Sequence, residues 1–354
     1  MAVSKRWGLV GGMGSVAALA AMAGINAVRT ATLPGREIYA DEDFTLMSRD
    51  RCSTVTTEDG VQLAVREVGP PTAPVTAIFV HGYCLNMESW HFQRRHLADR
   101  WGDSARMVFY DQRGHGESGA ASTASCTIPQ LGADLATVIE ATAPRGPVLL
   151  VGHSMGGMTI LAFSGQRPDL VESRVIGVAL MSTTEAGLAE TGVGRNLQNP
   201  IIDAFRFAVR TAPDFVQFAR GAARTLITPL LRAASYGTHV SPRLHEFSNG
   251  ILDRTSVTTI VNFLRTLELH DESAALEVLR EIPSVVVSGD SDMVIPFASS
   301  RRLAADLGDS ELVRVRGAGH LVQLEFPSVV SDAIERLLRR ALSAYNTRGQ
   351  RDVG

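Results

Sequence analysis

From residue 52 onward the chain alternates short apolar runs with amphipathic stretches. Residues 52–57 and 61–68 alternate polar and β-branched positions on either side of Glu58-Asp59-Gly60. That pattern predicts an antiparallel hairpin. Residues 75–80, 106–110, 148–151, 174–181, 284–288 and 311–315 are short, predominantly apolar runs, as expected of strands in a parallel sheet covered by helices. Segments such as 128–141, 155–166 and 327–344 follow these runs and carry apolar residues at helical spacing. Strand and helix in alternation predict an α/β fold, a mostly parallel, doubly wound sheet.

The alternation breaks between residues 185 and 272, where Pro200, Pro213, Pro229 and Pro242 punctuate short helical stretches. So long a connection between neighbouring strands predicts an inserted helical cap. The expected organisation is therefore a core over 50–184 and 273–345, the cap over 185–272, a linker over 31–49 and a disordered tail over 346–354. In the cap, Phe205, Phe207, Phe215, Phe218, Leu226, Ile227, Leu230 and Leu231 form an apolar side interleaved with Arg206, Arg210, Arg220, Arg224 and Arg232. It reads either as a cap packed on the core or as a lid over an acyl pocket.

The first thirty residues differ from the rest. Lys5 and Arg6 precede an uncharged stretch over 7–28, long enough to cross a bilayer but rich in glycine and alanine. It reads as a signal-anchor or a signal peptide, with Ala21-Met22-Ala23 as a cleavage candidate. The basic residues favour keeping that end in the cytoplasm and placing the body outside, anchored to or exported across the membrane. An amphiphilic helix docked on the protein or on a membrane face is the alternative. Gly12-Met13-Gly14 lacks the preceding strand that a dinucleotide loop requires.

Composition narrows the classes. With 45% hydrophobic and 20% charged residues the chain can build a packed core, and a net charge of -3 gives no footing for nucleic acid. Lys5 is the only lysine among 34 basic residues, a bias expected of a GC-rich, actinobacterial type of coding sequence. Cys52, Cys84 and Cys126 have no metal-binding spacing. They read mainly as buried thiols, with one disulfide left open.

Candidate chemistry clusters at strand ends. Gly152-His153-Ser154-Met155-Gly156 follows the run 148–151 and opens a helical segment, the context in which G-x-S-x-G makes a nucleophile elbow. The turn is so tight that its neighbours must be small, and the helix start offers N–H groups to developing negative charge. Asp290 and Asp292 both follow the run 284–288, where sites of open α/β sheets gather. His320 sits in the loop Gly317-Ala318-Gly319-His320 after the last strand, giving the chain order Ser, Asp, His.

Together His81-Gly82, the stretch Tyr110 to Ser118, the elbow, the stretch Gly289 to Pro296 and Gly317 to His320 resemble the α/β-hydrolase superfamily. The resemblance covers about 55–342 outside the cap and lies in the branch of small esterases, monoacylglycerol-lipase-like enzymes and cofactor-free haloperoxidases. It implies Ser154 as nucleophile, His320 as base and Asp292, from its spacing to Pro296, as the orienting acid, with Asp290 fixing the turn. It also implies an oxyanion hole from the amides of Tyr83 and Met155. His81 would brace the loop, and the loop 111–118 would be architectural. Serine at 154, with Tyr83-Cys84 in place of a proline-containing loop, argues against the epoxide hydrolases and haloalkane dehalogenases. The expected substrate is a small-molecule carboxylic ester, small or lipid-like, with no metal or organic cofactor. A carbon–carbon bond hydrolase, a perhydrolase and a non-catalytic binding protein are the competing readings.

Overall fold

A computed structural model describes residues 37–190 and 235–351. The apolar stretch 7–28 and the aromatic and arginine residues of the expected lid lie outside these residues. One eight-stranded sheet organises the rest, in the order β1-β2-β4-β3-β5-β6-β7-β8. The strands are β1 (Arg51–Thr56), β2 (Gln62–Val68), β3 (Val75–Val80), β4 (Ala105–Tyr110), β5 (Val148–His153), β6 (Val175–Met181), β7 (Ser284–Gly289) and β8 (Ser310–Val315). Only the β1–β2 and β2–β4 pairs are antiparallel. Predicted strand ends fall within two residues of those observed.

Burial explains the pattern. β3 to β7 are buried at every position, whereas β1 and β8, at the two edges, each bury only one residue, Val55 and Val315. One apolar cluster joins Ile78, Val80, Leu150 and Val178 to Leu135, Ile139, Leu161 and Phe163 of the helices Ile128–Thr142 and Met155–Gln166. The other joins Phe79, Phe109, Leu149 and Val151 to Trp90, Leu97, Ile334 and Leu337 on the opposite side. Alternate residues of one strand thus feed two cores, which is why these strands read as continuous apolar runs.

Between β6 and β7 the chain leaves and re-enters the body at one point. Ala186 bridges Asp271, and the Glu272 amide donates to the Glu185 carbonyl at 2.8 Å. The described part of this insert contains the helices Pro242–Arg254 and Val257–Glu268, each capped by a serine, Ser241 and Ser256. Residues 37–49 lie against the first of them, with Phe44 stacked on Phe247 at 4.2 Å and the Arg243 amide donating to Glu37. The last helix, Pro327–Arg351, continues into the stretch expected to be a disordered tail. No proline follows Leu342 to stop it, and each added residue extends an existing helix without a new nucleus.

Arg113 ties the loop 111–118 to its surroundings. Its fully buried guanidinium donates twice to Asp134 at 2.6 Å and twice to Asp59 of the hairpin turn at 2.7 and 3.0 Å. Removing one partner of a buried pair leaves an uncompensated charge. Asp134→Ala should therefore cost about 3–5 kcal/mol in urea unfolding. Asp59→Ala, at a carboxylate that reaches solvent, should cost clearly less; equal costs would contradict this account.

Candidate active site

Strand β5 runs at the centre of the sheet and delivers Ser154 to the start of the helix Met155–Gln166. Its backbone stands at φ 52° and ψ -119°, a region L-residues rarely occupy. The turn leaves no room for side chains: a β-carbon on Gly156 would fall 2.1 Å from the Val80 carbonyl oxygen, and one on Gly152 would fall 2.6 Å from that of Gly156. Hydrogen bonds hold the serine from both sides. Its amide donates to Met181 at 2.9 Å, and the Thr183 hydroxyl donates to its carbonyl at 2.8 Å.

The structure brings Ser154, Asp292 and His320 together from three separate strand ends. The Ser154 hydroxyl lies 2.9 Å from His320 Nε2, and His320 Nδ1 lies 2.9 Å from Asp292 Oδ2. A carboxylate only accepts, so Nδ1 carries the proton and Nε2 is left to accept from the serine. Asp292 Oδ1 accepts the amides of Val294 and Ile295 at 2.8 and 2.9 Å, which fixes the carboxylate plane. Asp290 does different work: it accepts the Gly317 amide at 2.7 Å and pairs with Arg314 at 2.9 Å. The Gly317 amide, ahead of Arg314, holds its carboxyl below the usual range.

Tyr83 and Met155, the residues expected to supply the oxyanion amides, both lie near the serine. Met155 opens the helix, where an amide has no intrahelical acceptor, and Tyr83 lines the same pocket as Ser154. The loop carrying Tyr83 is braced from beneath. His81 accepts the Gln112 amide at Nε2 and donates from Nδ1 to the Gly82 carbonyl; His115 accepts the Cys84 amide and donates to the Arg113 carbonyl. Burial keeps both rings neutral, lowering His81 to about 3 and His115 to about 4. Cys84 itself takes a positive φ of 59°.

The described residues around the serine are mostly apolar: Leu85, Met158, Leu188, Leu252, Leu267 and Ile295 line the pocket. Leu252 and Leu267 belong to the two insert helices. Two further polar residues hold the histidine loop and escape a reading of the sequence. His153 donates from Nε2 to the His320 carbonyl at 2.9 Å, and Glu325 accepts the Gly319 amide at 2.7 Å. A histidine closing a wholly apolar strand is the only sequence signal for the first. The second shows only as a charge within an apolar turn. Among the described residues no three His, Cys, Asp or Glu side chains gather to hold a metal ion. All three cysteines are free thiols. Cys84 and Cys126 are buried, but Cys52 is exposed, correcting its expected burial, because β1 is an edge strand with an uncovered face.

A sheet of this order, with an elbow serine facing a histidine and an aspartate at neighbouring strand ends, defines a class of folds that carry hydrolytic sites. The family profile described as alpha/beta hydrolase fold matches residues 78–327, and the chain belongs to that family. A bifunctional esterase/perhydrolase of Acinetobacter calcoaceticus is 28% identical over 277 residues, covering 75% of this chain and 92% of its own length. A non-heme chloroperoxidase of Streptomyces lividans is 26% identical over 286 residues, covering 78% and 96%. Among solved structures, a thermophilic esterase from Thermogutta terrifontis superposes with a TM-score of 0.64 at 23% identity, covering 82% of this chain and 99% of its own. That last likeness is one of fold.

The neutral, buried rings set a pH dependence. Between the usual 6.5 and about 4 the unfolded chain takes up a proton at His115 that the folded protein refuses, so stability falls as the pH falls across that window. Asp111, lifted by burial to about 7, acts in the opposite sense, binding its proton more tightly when folded. Comparing His115→Gln with the parent isolates one contribution. The variant should lose less stability in urea between pH 7 and 4.5, by on the order of 2 kcal/mol. An equal loss in both proteins would refute the assignment.

Proposed function

We propose that this protein is a serine hydrolase that cleaves a carboxylic ester through an acyl-enzyme on Ser154. The observation that carries the reading is the chain of two 2.9 Å contacts from Ser154 Oγ through His320 to Asp292, set beneath an apolar pocket. His320 Nε2 takes the hydroxyl proton as Oγ attacks the acyl carbon, and Asp292 stabilises the imidazolium that forms. The tetrahedral oxyanion is received by the amides of Tyr83 and Met155. Each such donor is worth about 3 kcal/mol of barrier. The imidazolium then protonates the departing alcohol, and water, activated by the same ring, releases the acid.

An apolar lining selects an uncharged acyl group, either small or lipid-like, with a monoacylglycerol as one member of that class. In this reading the insert over 185–272 is the lid. Residues 7–28 anchor or export the body, a part of the reading that rests on sequence alone. Of the described residues, no helix is long and apolar enough to cross a membrane. A second activity has support in the names of the two relatives above: hydrogen peroxide could replace water at the acyl-enzyme, giving a peracid and regenerating Ser154. Among the described residues no feature favours a carbon–carbon bond substrate.

The test is turnover of p-nitrophenyl esters of increasing chain length. The parent should hydrolyse the panel with a preference set by acyl length. Ser154→Ala should lose about 10⁶-fold in kcat, and Asp292→Asn about 10³- to 10⁴-fold with the fold intact. Inactivity of the parent across the whole panel would remove the esterase reading.

A further inference from the structure

Residues 235–238 run beside the loop that carries His320, and the two backbones touch. A β-carbon on Gly237 would lie 2.2 Å from the Gly317 carbonyl oxygen, and one on Gly319 would lie 2.5 Å from the Gly237 nitrogen. The Leu321 amide donates to the Ser235 carbonyl at 2.8 Å. Neither segment belongs to the sheet, so the remaining amides at this seam need acceptors from elsewhere.

Glu325 supplies them. Its Oε1 accepts the Thr238 amide and hydroxyl, both at 2.5 Å, and the Gly237 amide at 3.1 Å. Its Oε2 accepts the Gly319 amide at 2.7 Å and lies 3.2 Å from that of Gly237. One carboxylate thus grips the returning limb of the insert and the residue next to His320. The placement is not explained by the helical turn Val322–Glu325, whose last residue borders carbonyls rather than amides. On the body side, the same loop is held by His153 through the His320 carbonyl. The loop is therefore mounted between two supports, one in the core and one in the insert.

We propose that Glu325 is a positioning residue, whose carboxylate fixes the limb Gly237–Thr238 to the histidine loop so that the reach of His320 to Ser154 depends on how the insert is seated. The inference rests on the reading of His320 as the base for Ser154. Its consequence is that motion of the insert is transmitted to the base, and that substrate filling the space beneath the insert also sets the catalytic geometry.

Glu325→Gln in the full-length protein tests it, because an amide turns N–H groups toward a site that offers mainly donors. Three quantities are read: the rate constant for phosphonylation of Ser154 by a fluorophosphonate, kcat and KM for p-nitrophenyl butyrate, and the thermal midpoint. Displacing the base predicts that phosphonylation and kcat fall about 10- to 100-fold, while KM stays near the parent value. Parent-like kcat and labelling in folded Glu325→Gln, whatever happens to KM or the melting temperature, would overturn the proposal, since a contact that only stabilises the fold would behave so. Should that variant fail to fold, Thr238→Val removes the hydroxyl alone and should lower kcat a few-fold at unchanged KM; unchanged kcat would count against the clamp. If the parent neither labels at Ser154 nor turns over esters, the reading of the site fails and this inference with it. If the parent does both and the variants match it, only the role of Glu325 fails.

Discussion

The backbone of Ser154 is held at φ 52°, ψ -119°, and the arrangement of the site follows from keeping it there. Such a conformation costs about 1–3 kcal/mol and persists only where the surroundings over-determine it. Here they do. β5 is paired on both sides, with β3 and β6, and the helix that follows is packed so tightly against the end of β3 that position 156 admits no side chain. The result is a serine held at the end of its strand, beside the first turn of a helix, with its hydroxyl 2.9 Å from His320 Nε2.

Around that fixed point the protein uses neutral polar side chains as struts. His81, His115 and His153 are buried, and burial pushes all three below the ordinary histidine range, so they act as hydrogen-bonding groups rather than charges. Each one bonds to backbone, His81 and His115 at the loop that carries Tyr83, His153 at the loop that carries His320. The insert adds contacts to the same two loops. Tyr83 donates its hydroxyl to the Ile260 carbonyl at 2.5 Å and Thr255 donates to the Cys84 carbonyl at 3.0 Å, while Glu325 binds the limb at Gly237 and Thr238. Both walls of the site are thus joined to the element above it.

What could be read from the sequence was local. The hairpin, the elbow and the buried strands announce themselves within a few residues, because alternation, glycine placement and apolar runs act at short range. Asp290 and Asp292 are separated in the sequence only by the resemblance, through the spacing of Asp292 to Pro296, and not by these patterns. They share a strand end, and only their partners differ: Arg314 and Gly317 for one, His320 for the other. The role of His153 is hidden for a related reason, since its partner lies 167 residues away along the chain, and Glu325 joins a neighbour six residues back to a limb 87 residues back. The exposure of Cys52 likewise depends on which strand lies at the edge, a matter of topology. The length of the last helix was underestimated because polar residues after Leu342 resemble a tail until the helix they extend is known.

The central claim is that the Ser154 hydroxyl is the attacking group and that the amides of Tyr83 and Met155 receive the charge it creates. A crystal structure of the protein after reaction with an alkyl fluorophosphonate tests it most directly. The account predicts phosphorus bonded to Ser154 Oγ, the phosphonyl oxygen within hydrogen-bonding distance of both amides, and the alkyl chain among Leu85, Met158 and Leu252. Phosphorus on another side chain, or a phosphonyl oxygen turned away from those amides, would contradict it.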